Sequence, residues 1–146
     1  MAEGDATVYQ WAKLLTMQKQ IDFDSTFTDT FKIILLDSNY SLDADCTPAY
    51  SNLAAYELDN SDSGYTTGGI TMTGYTLTQE DSSDNIRFDA DDVTWSSLET
   101  NIIKHAVIWC NSASDEPAVV HFEIATNSNG GDYTLQFGAS GIILLA

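Results

Sequence analysis

Short apolar runs separated by polar turns constrain the fold of this chain more than any other feature. Runs such as "FKIILL" (Phe31–Leu36) and "AVVHFEIA" (Ala118–Ala125) are rich in the β-branched and aromatic residues typical of strands. Between such runs lie segments such as "DNSDSGYTTGG" (Asp59–Gly69), whose Gly, Asn, Asp and Ser residues favour turns. The sequence therefore predicts a mainly β fold, an antiparallel β-sandwich or a jelly-roll-like domain.

The N-terminal segment, residues 1–22, has a different pattern and predicts one short helix. Its apolar residues recur at helical spacing: Val8, Trp11, Ala12 and Leu15. Thr7, followed three residues later by Gln10, indicates a capping box at the start of this helix. A chain of 146 residues is expected to form one domain. We therefore divide it into a helical segment, residues 1–22, and a β-sandwich domain, residues 23–146.

Two segments change the parity of their apolar residues, which predicts a break in each strand. In "ITMTGYTLT" (Ile70–Thr78) the change falls at Gly74, where we predict a β-bulge. Between Phe88 and Trp95 the change falls on Asp89–Asp92. A turn or a bulge produces such a change, and Asp favours turns because its side chain caps nearby backbone N–H groups.

The carboxylates of Asp89, Asp91 and Asp92 could instead form a metal site or a catalytic cluster. Calcium takes six to eight oxygen ligands, commonly from a patterned loop, and no segment here matches the EF-hand pattern. A glycosidase needs two carboxylates, but a chain with 22 acidic residues contains close pairs by chance. We therefore interpret the three aspartates as a turn and predict no metal and no cofactor.

No motif in the sequence indicates an enzyme. The chain lacks Gly-x-Ser-x-Gly, a P-loop and His-Glu-x-x-His. His105 and His121 lie on different predicted strands, without a third histidine or a nearby cysteine to complete a zinc site. We therefore name no catalytic residue.

The strand "KHAVIWC" (Lys104–Cys110) is apolar on both faces. Val107 and Trp109 share one parity, and Ala106 and Ile108 share the other. One face of a sandwich strand normally meets water, so the second face needs a cover. The N-terminal helix, another part of the chain or a neighbouring subunit could supply it. Our candidate subunit or shell contacts are Trp11, Leu15, Val107 and Trp109.

The charge of the chain excludes several partners. Five basic residues against 22 acidic ones give a net charge of −17. Nucleic acids and anionic membranes attract basic surfaces, so we expect neither as a partner. The acidity favours solubility and partners that carry basic patches.

The termini and the cysteines favour a protein made and kept in a cytoplasm. The N-terminus, "MAEGDATVYQ", is acidic and polar, unlike a signal peptide. The last residues, "GIILLA", are too few to span a bilayer and predict a final strand. Cys46 and Cys110 are too few for a disulfide framework, and we expect both to be unpaired thiols.

Four segments, in this order, resemble a family of small virion proteins of tailed bacteriophages. They are the aliphatic strand and Ser-containing loop at Phe31–Tyr40, the "GYTTGG" turn at Gly64–Gly69, the "DADDVTW" segment at Asp89–Trp95 and the "AVIW" strand at Ala106–Trp109. The resemblance covers most of the chain and fades at Asn111–Pro117 and at the termini. It carries no catalytic residues.

The resemblance implies a structural role in the virion. Some members are similar to capsid decoration, or cement, proteins that assemble as trimers on the shell. We therefore expect a homotrimer made in the host bacterial cytoplasm that binds the major capsid protein on the capsid surface. A tail or fibre component that binds host glycans is the alternative. Tyr9, Tyr65 and Tyr75 are its candidate stacking residues.

Overall fold

The computed structural model describes residues 6–23, 29–43, 48–59, 61, 64–98, 103–124 and 130–145. The strands are β1 (Thr7–Val8), β2 (Phe31–Asp37), β3 (Ile70–Thr71), β4 (Thr76–Glu80), β5 (Asn85–Asp89), β6 (Val93–Trp95), β7 (Ile103–Cys110), β8 (Ala118–Glu123), β9 (Tyr133–Leu135) and β10 (Ile143–Leu145). The helices are α1 (Gln10–Met17) and α2 (Tyr50–Leu53). The fold is mainly β, as predicted.

The strands form antiparallel sheets that face one another in a sandwich-like arrangement. The larger sheet has the order β1-β8-β7-β2-β3, a second has the order β10-β5-β4, and β6 pairs with β9. An aromatic cluster joins the first two sheets, because the ring of Phe31 on β2 lies 5.9 Å from Phe88 on β5 and 5.6 Å from Tyr75. The core thus lies between the larger sheet and β5.

The second apolar face of β7 is covered by the chain itself. Tyr50 stacks on Trp109 with their ring centroids 4.2 Å apart, and Tyr40 packs edge-on against His105. Val107 and Trp109 are 0% and 4% exposed. Their side chains have almost no free surface with which to contact a neighbouring subunit. The two-faced pattern of β7 therefore does not indicate an oligomer.

Thr7 and Val8 of the N-terminal segment belong to the larger sheet. Thr7 and Val8 pair with β8 opposite His121 and Val120, so they are extended and not helical. The helix is present, but it begins after Tyr9, and no side chain caps its start. The predicted capping box is therefore wrong, because strand pairing determines the conformation of Thr7. No helix among the described residues is long and apolar enough to cross a membrane.

At Gly74, where the sequence predicts a β-bulge, the chain also changes sheets. β3 belongs to the larger sheet and β4 to the three-stranded one, and Gly74 lies between them with a φ of +68°. A Cβ atom at this position would collide with the carboxylate of Asp91. Only glycine adopts this conformation so close to another group without strain.

Candidate functional site

An apolar groove of about 340 Å³ runs between α1 and the three-stranded sheet. Its principal lining residues are Met17, Leu77, Ile86, Phe88, Ile143 and Leu145. We call this feature the apolar groove. Its floor is Phe88, which is buried because its ring also packs on Phe23 and Phe31.

Paired residues of the three-stranded sheet form one wall of the groove. Leu77 on β4 and Ile143 on β10 both pair with Phe88 on β5, and Leu145 pairs with Ile86. Directly paired residues of antiparallel strands project on the same face, and so do residues two apart on one strand. Five apolar side chains therefore share the face that is turned toward α1.

The groove concentrates the exposed apolar surface of the chain. Six large hydrophobic residues are exposed among the described residues, and Met17, Leu77, Ile86 and Leu145 of these line the groove. Contiguous exposed apolar patches mark interaction sites on soluble proteins, whereas isolated apolar residues do not. The groove is therefore the candidate functional site.

The electrostatics of the groove differ from those of the chain as a whole. Among the residues that the structure describes, Lys13 is the one charged residue that lines it, and no carboxylate does so. The whole chain nevertheless carries a net charge of −17. Desolvating carboxylates costs free energy, and like charges repel one another. A contact made through this groove avoids both costs on this side of the interface.

None of the four residues proposed from the sequence as subunit or shell contacts lines the groove. Leu15, Val107 and Trp109 are buried in the core of the single chain, and Trp11 is half-buried against it. Their apolar character is explained by packing within the chain. The sequence pattern did not predict the groove, because its side chains come from five elements and one loop that meet only in the folded protein.

The three aspartates of the connection between β5 and β6 bind three separate backbone or side-chain groups. Asp89 Oδ1 accepts a hydrogen bond from the Ala90 N–H (2.9 Å), and Asp92 Oδ1 accepts one from the Phe137 N–H (2.9 Å). Asp91 Oδ2 accepts one from the hydroxyl of Thr73 (3.1 Å). In the part of the chain that the structure describes, no three His, Cys, Asp or Glu residues are grouped so that they could hold a metal ion. These carboxylates therefore fix the link between two sheets.

A pair of histidines packs beneath Tyr40, with His121 buried and His105 half-buried. Nδ1 of His105 and Nε2 of His121 share a hydrogen bond of 2.9 Å, and the ring of Tyr40 packs against both imidazoles. Burial and, to a smaller extent, the charge of the neighbouring His105 lower the pKa of His121 to about 4. Burial also lowers the pKa of His105. Both rings are therefore neutral at pH 7, and the pair is an internal structural contact.

The carboxylate of Glu57 anchors two tyrosines beside β2. It accepts hydrogen bonds from the hydroxyls of Tyr50 (2.7 Å) and Tyr65 (2.6 Å) and from the Gly68 N–H (2.7 Å). Burial, and then the negative charge of Glu57, raise the pKa of both tyrosines. The hydroxyls remain protonated and keep donating to the carboxylate. This cluster holds the cover of β7 in place.

The tyrosines named as glycan-stacking residues offer little ring surface. Tyr9 and Tyr65 are buried, and the Tyr9 hydroxyl shares a buried hydrogen bond of 2.6 Å with that of Tyr40. Tyr75 is half-buried, and its ring packs on Phe31 and Phe88. Glycan recognition by aromatic stacking needs an open ring face, which these residues do not provide.

Of the two cysteines predicted to be unpaired thiols, the structure describes only Cys110. Cys110 is a free, buried thiol, and burial raises its pKa. Cys46 lies outside the described residues.

Comparison of the chain with protein-family models, with curated proteins and with solved structures finds no match. A functional interpretation therefore depends on the geometry of the groove and on the resemblance carried by the sequence.

Proposed function

We propose that this chain is a structural protein of a tailed bacteriophage, a decoration protein that binds the outer face of the capsid through its apolar groove. The resemblance of four ordered segments to small virion proteins supports the phage assignment. The apolar groove supports a role in docking. Such a protein is made in the host bacterial cytoplasm, and its final location is the capsid surface.

The observation that carries this proposal is an exposed apolar surface that no carboxylate of the described residues lines, on a chain with a net charge of −17. Burying one exposed Leu, Ile or Met side chain contributes about 1.5–3 kcal/mol. The exposed groove residues can thus supply much of one docking contact. Many copies on one shell add their contributions, so that modest affinity at each site stabilises the whole particle.

A homotrimer is the assembly that we propose on the shell. Three copies carry three times the net charge of −17, and these charges repel one another. Contacts between subunits therefore belong on surfaces poor in carboxylates, with the acidic surfaces turned toward solvent. The outward acidity also keeps particles apart in solution.

The proposal predicts that a charge placed in the groove reduces shell binding. Ile86→Glu puts a carboxylate on the groove wall, and its desolvation opposes docking. We expect the occupancy of purified shells that lack the protein to fall at least tenfold at a fixed protein concentration. Quantitative gel densitometry of sedimented shells measures this occupancy.

Leu14→Glu is the matched control for that experiment. Leu14 is also an exposed apolar residue, but it lies on α1 outside the groove. Its substitution should leave occupancy within about twofold of the unmodified protein, because surface changes away from a contact have small effects. Equal occupancy by both variants would contradict docking through the groove. Attachment to purified tails and not to shells would favour the tail or fibre alternative.

A further inference from the structure

A second cleft, of about 710 Å³, lies beside the apolar groove. It is bordered by β1, an edge strand of the larger sheet, and by β10, an edge strand of the three-stranded sheet. The cleft and the groove share four lining residues: Val8, Lys13, Ile143 and Leu145. The two features therefore form one continuous surface, and we call the second one the edge cleft.

Two open strand edges line the edge cleft. Among the described residues β1 pairs only with β8, and β10 pairs only with β5, so that each strand has one side without a strand partner. Proteins usually protect such edges with charged residues, proline or a covering segment. The β10 segment, "GIILL" (Gly141–Leu145), contains neither charge nor proline. An edge of this kind has the backbone donors and acceptors that an added strand requires.

The walls of the edge cleft suit an extended chain with apolar side chains. Phe122 and Phe137 line it, with their ring centroids 5.8 Å apart. Gly138 and Gly141 line it as well. A side chain at Gly141 would collide with Arg87 and with the carbonyl of Phe88, so the chain packs directly against β5 there. An added strand would place alternate side chains on the groove side, next to Ile143 and Leu145.

The net charge of the protein determines which kind of chain binds better in the edge cleft. Of the described residues, Lys13 is the single charged one that lines the edge cleft or the groove, and both lie on a chain with a net charge of −17. A second copy of this chain would bring a further net charge of −17 close by. An apolar segment flanked by Lys or Arg instead gains from the surrounding acidic field.

We propose that the edge cleft receives an extended apolar segment of a partner protein, flanked by basic residues, which pairs with the open edge of β10. This inference rests on the proposed function for the identity of the partner as the shell protein. The added strand would make β10 an internal strand and would fill the groove with its alternate side chains. Docking would then combine backbone pairing, which gives affinity, with apolar pockets, which give specificity.

Selection of peptides tests the inference without the partner in hand. The probe is a displayed library of random heptapeptides, selected against the intact protein. We expect the enriched sequences to alternate apolar residues and to carry Lys or Arg at their ends. Leu145→Glu, which places a carboxylate in both features, should weaken the selected peptide at least tenfold, whereas Leu14→Glu should leave its affinity unchanged.

Backbone methylation of the selected peptide distinguishes strand pairing from simple apolar docking. A strand that pairs through one edge uses the N–H groups of alternate residues. Methylating those nitrogens one at a time should therefore reduce affinity at least tenfold at alternate positions and little at the positions between them. Uniform insensitivity to methylation would overturn the inference, as would failure to enrich any sequence or enrichment of acidic peptides.

Competition with purified shells separates this inference from the proposed function. Excess selected peptide should displace the protein from the shells. Shell binding that persists in the presence of the peptide would overturn strand addition while leaving the decoration role intact. Peptide pairing without any binding to shells would overturn the assignment of the partner and, with it, the proposed function.

Discussion

Replacing Trp95 with alanine is expected to lower the free energy of unfolding by about 3–5 kcal/mol, as for other large-to-small changes in cores. Trp95 is 2% exposed and lies on β6, opposite Tyr133 of β9, with their ring centroids 5.9 Å apart. The substitution would leave a cavity between this strand pair and the core. Denaturant unfolding followed by circular dichroism measures the change.

Two variants serve as controls for the Trp95 prediction. Trp95→Phe keeps a ring in place and removes a buried indole N–H that has no hydrogen-bond partner among the described residues, so its loss of stability should be clearly smaller. Thr94→Ala changes the exposed neighbour, whose hydroxyl contacts that of Thr134 at 2.8 Å, and should cost about 1 kcal/mol or less. A loss below about 0.5 kcal/mol in Trp95→Ala would contradict its place in the core.

Acidification is expected to destabilise the fold through His121. The folded protein holds the pKa of this residue at about 4, because the imidazole is buried next to His105. In the unfolded chain it returns to its ordinary value of about 6.5. Between these two pH values the unfolded chain binds more protons, so stability is full above about pH 6.5 and falls as the pH decreases toward 4.

The expected contribution of His121 to stability over this window is about 3 kcal/mol. Each unit of difference between its folded and unfolded pKa corresponds to about 1.36 kcal/mol. Unfolding free energies of the unmodified protein and of His121→Gln, measured from pH 7 to pH 4, give the difference. Glutamine keeps an N–H donor near His105 but does not titrate in this range. The unmodified protein should lose more stability than the variant on acidification. Parallel curves would contradict the role assigned to this histidine.

Strand positions could be predicted because short apolar runs are separated by polar turns along the chain. The runs at Phe31–Leu36 and Ala118–Ala125 and the final "GIILLA" overlap the strands β2, β8 and β10, respectively. The parity change across Asp89–Asp92 marks the link between β5 and β6. Such patterns depend on neighbours in sequence, so a single sequence contains them.

The cover of β7 could not be predicted, because it depends on residues far away in sequence. Tyr40 and Tyr50 lie outside the apolar runs that predict strands, yet their rings cover His105 and Trp109. The Thr7 prediction failed for a related reason. A local capping pattern competes there with pairing to His121, and the long-range strand contact prevails.

The apolar groove could be recognised only from the folded chain. Met17, Ile86 and Leu145 lie on α1, β5 and β10, and each alone is an ordinary apolar residue in its element. Only their common exposure on one surface distinguishes them from core residues. A docking surface is thus a property of packing between elements, whereas strand position is a property of local pattern.

Electron cryomicroscopy of virions that contain the protein tests the central claim most directly. The account predicts many copies on the outer shell, in three-fold symmetric groups, with the apolar groove buried against the major capsid protein and the acidic surfaces exposed. A few copies confined to the tail would contradict it, and so would shell-bound copies whose groove faces solvent.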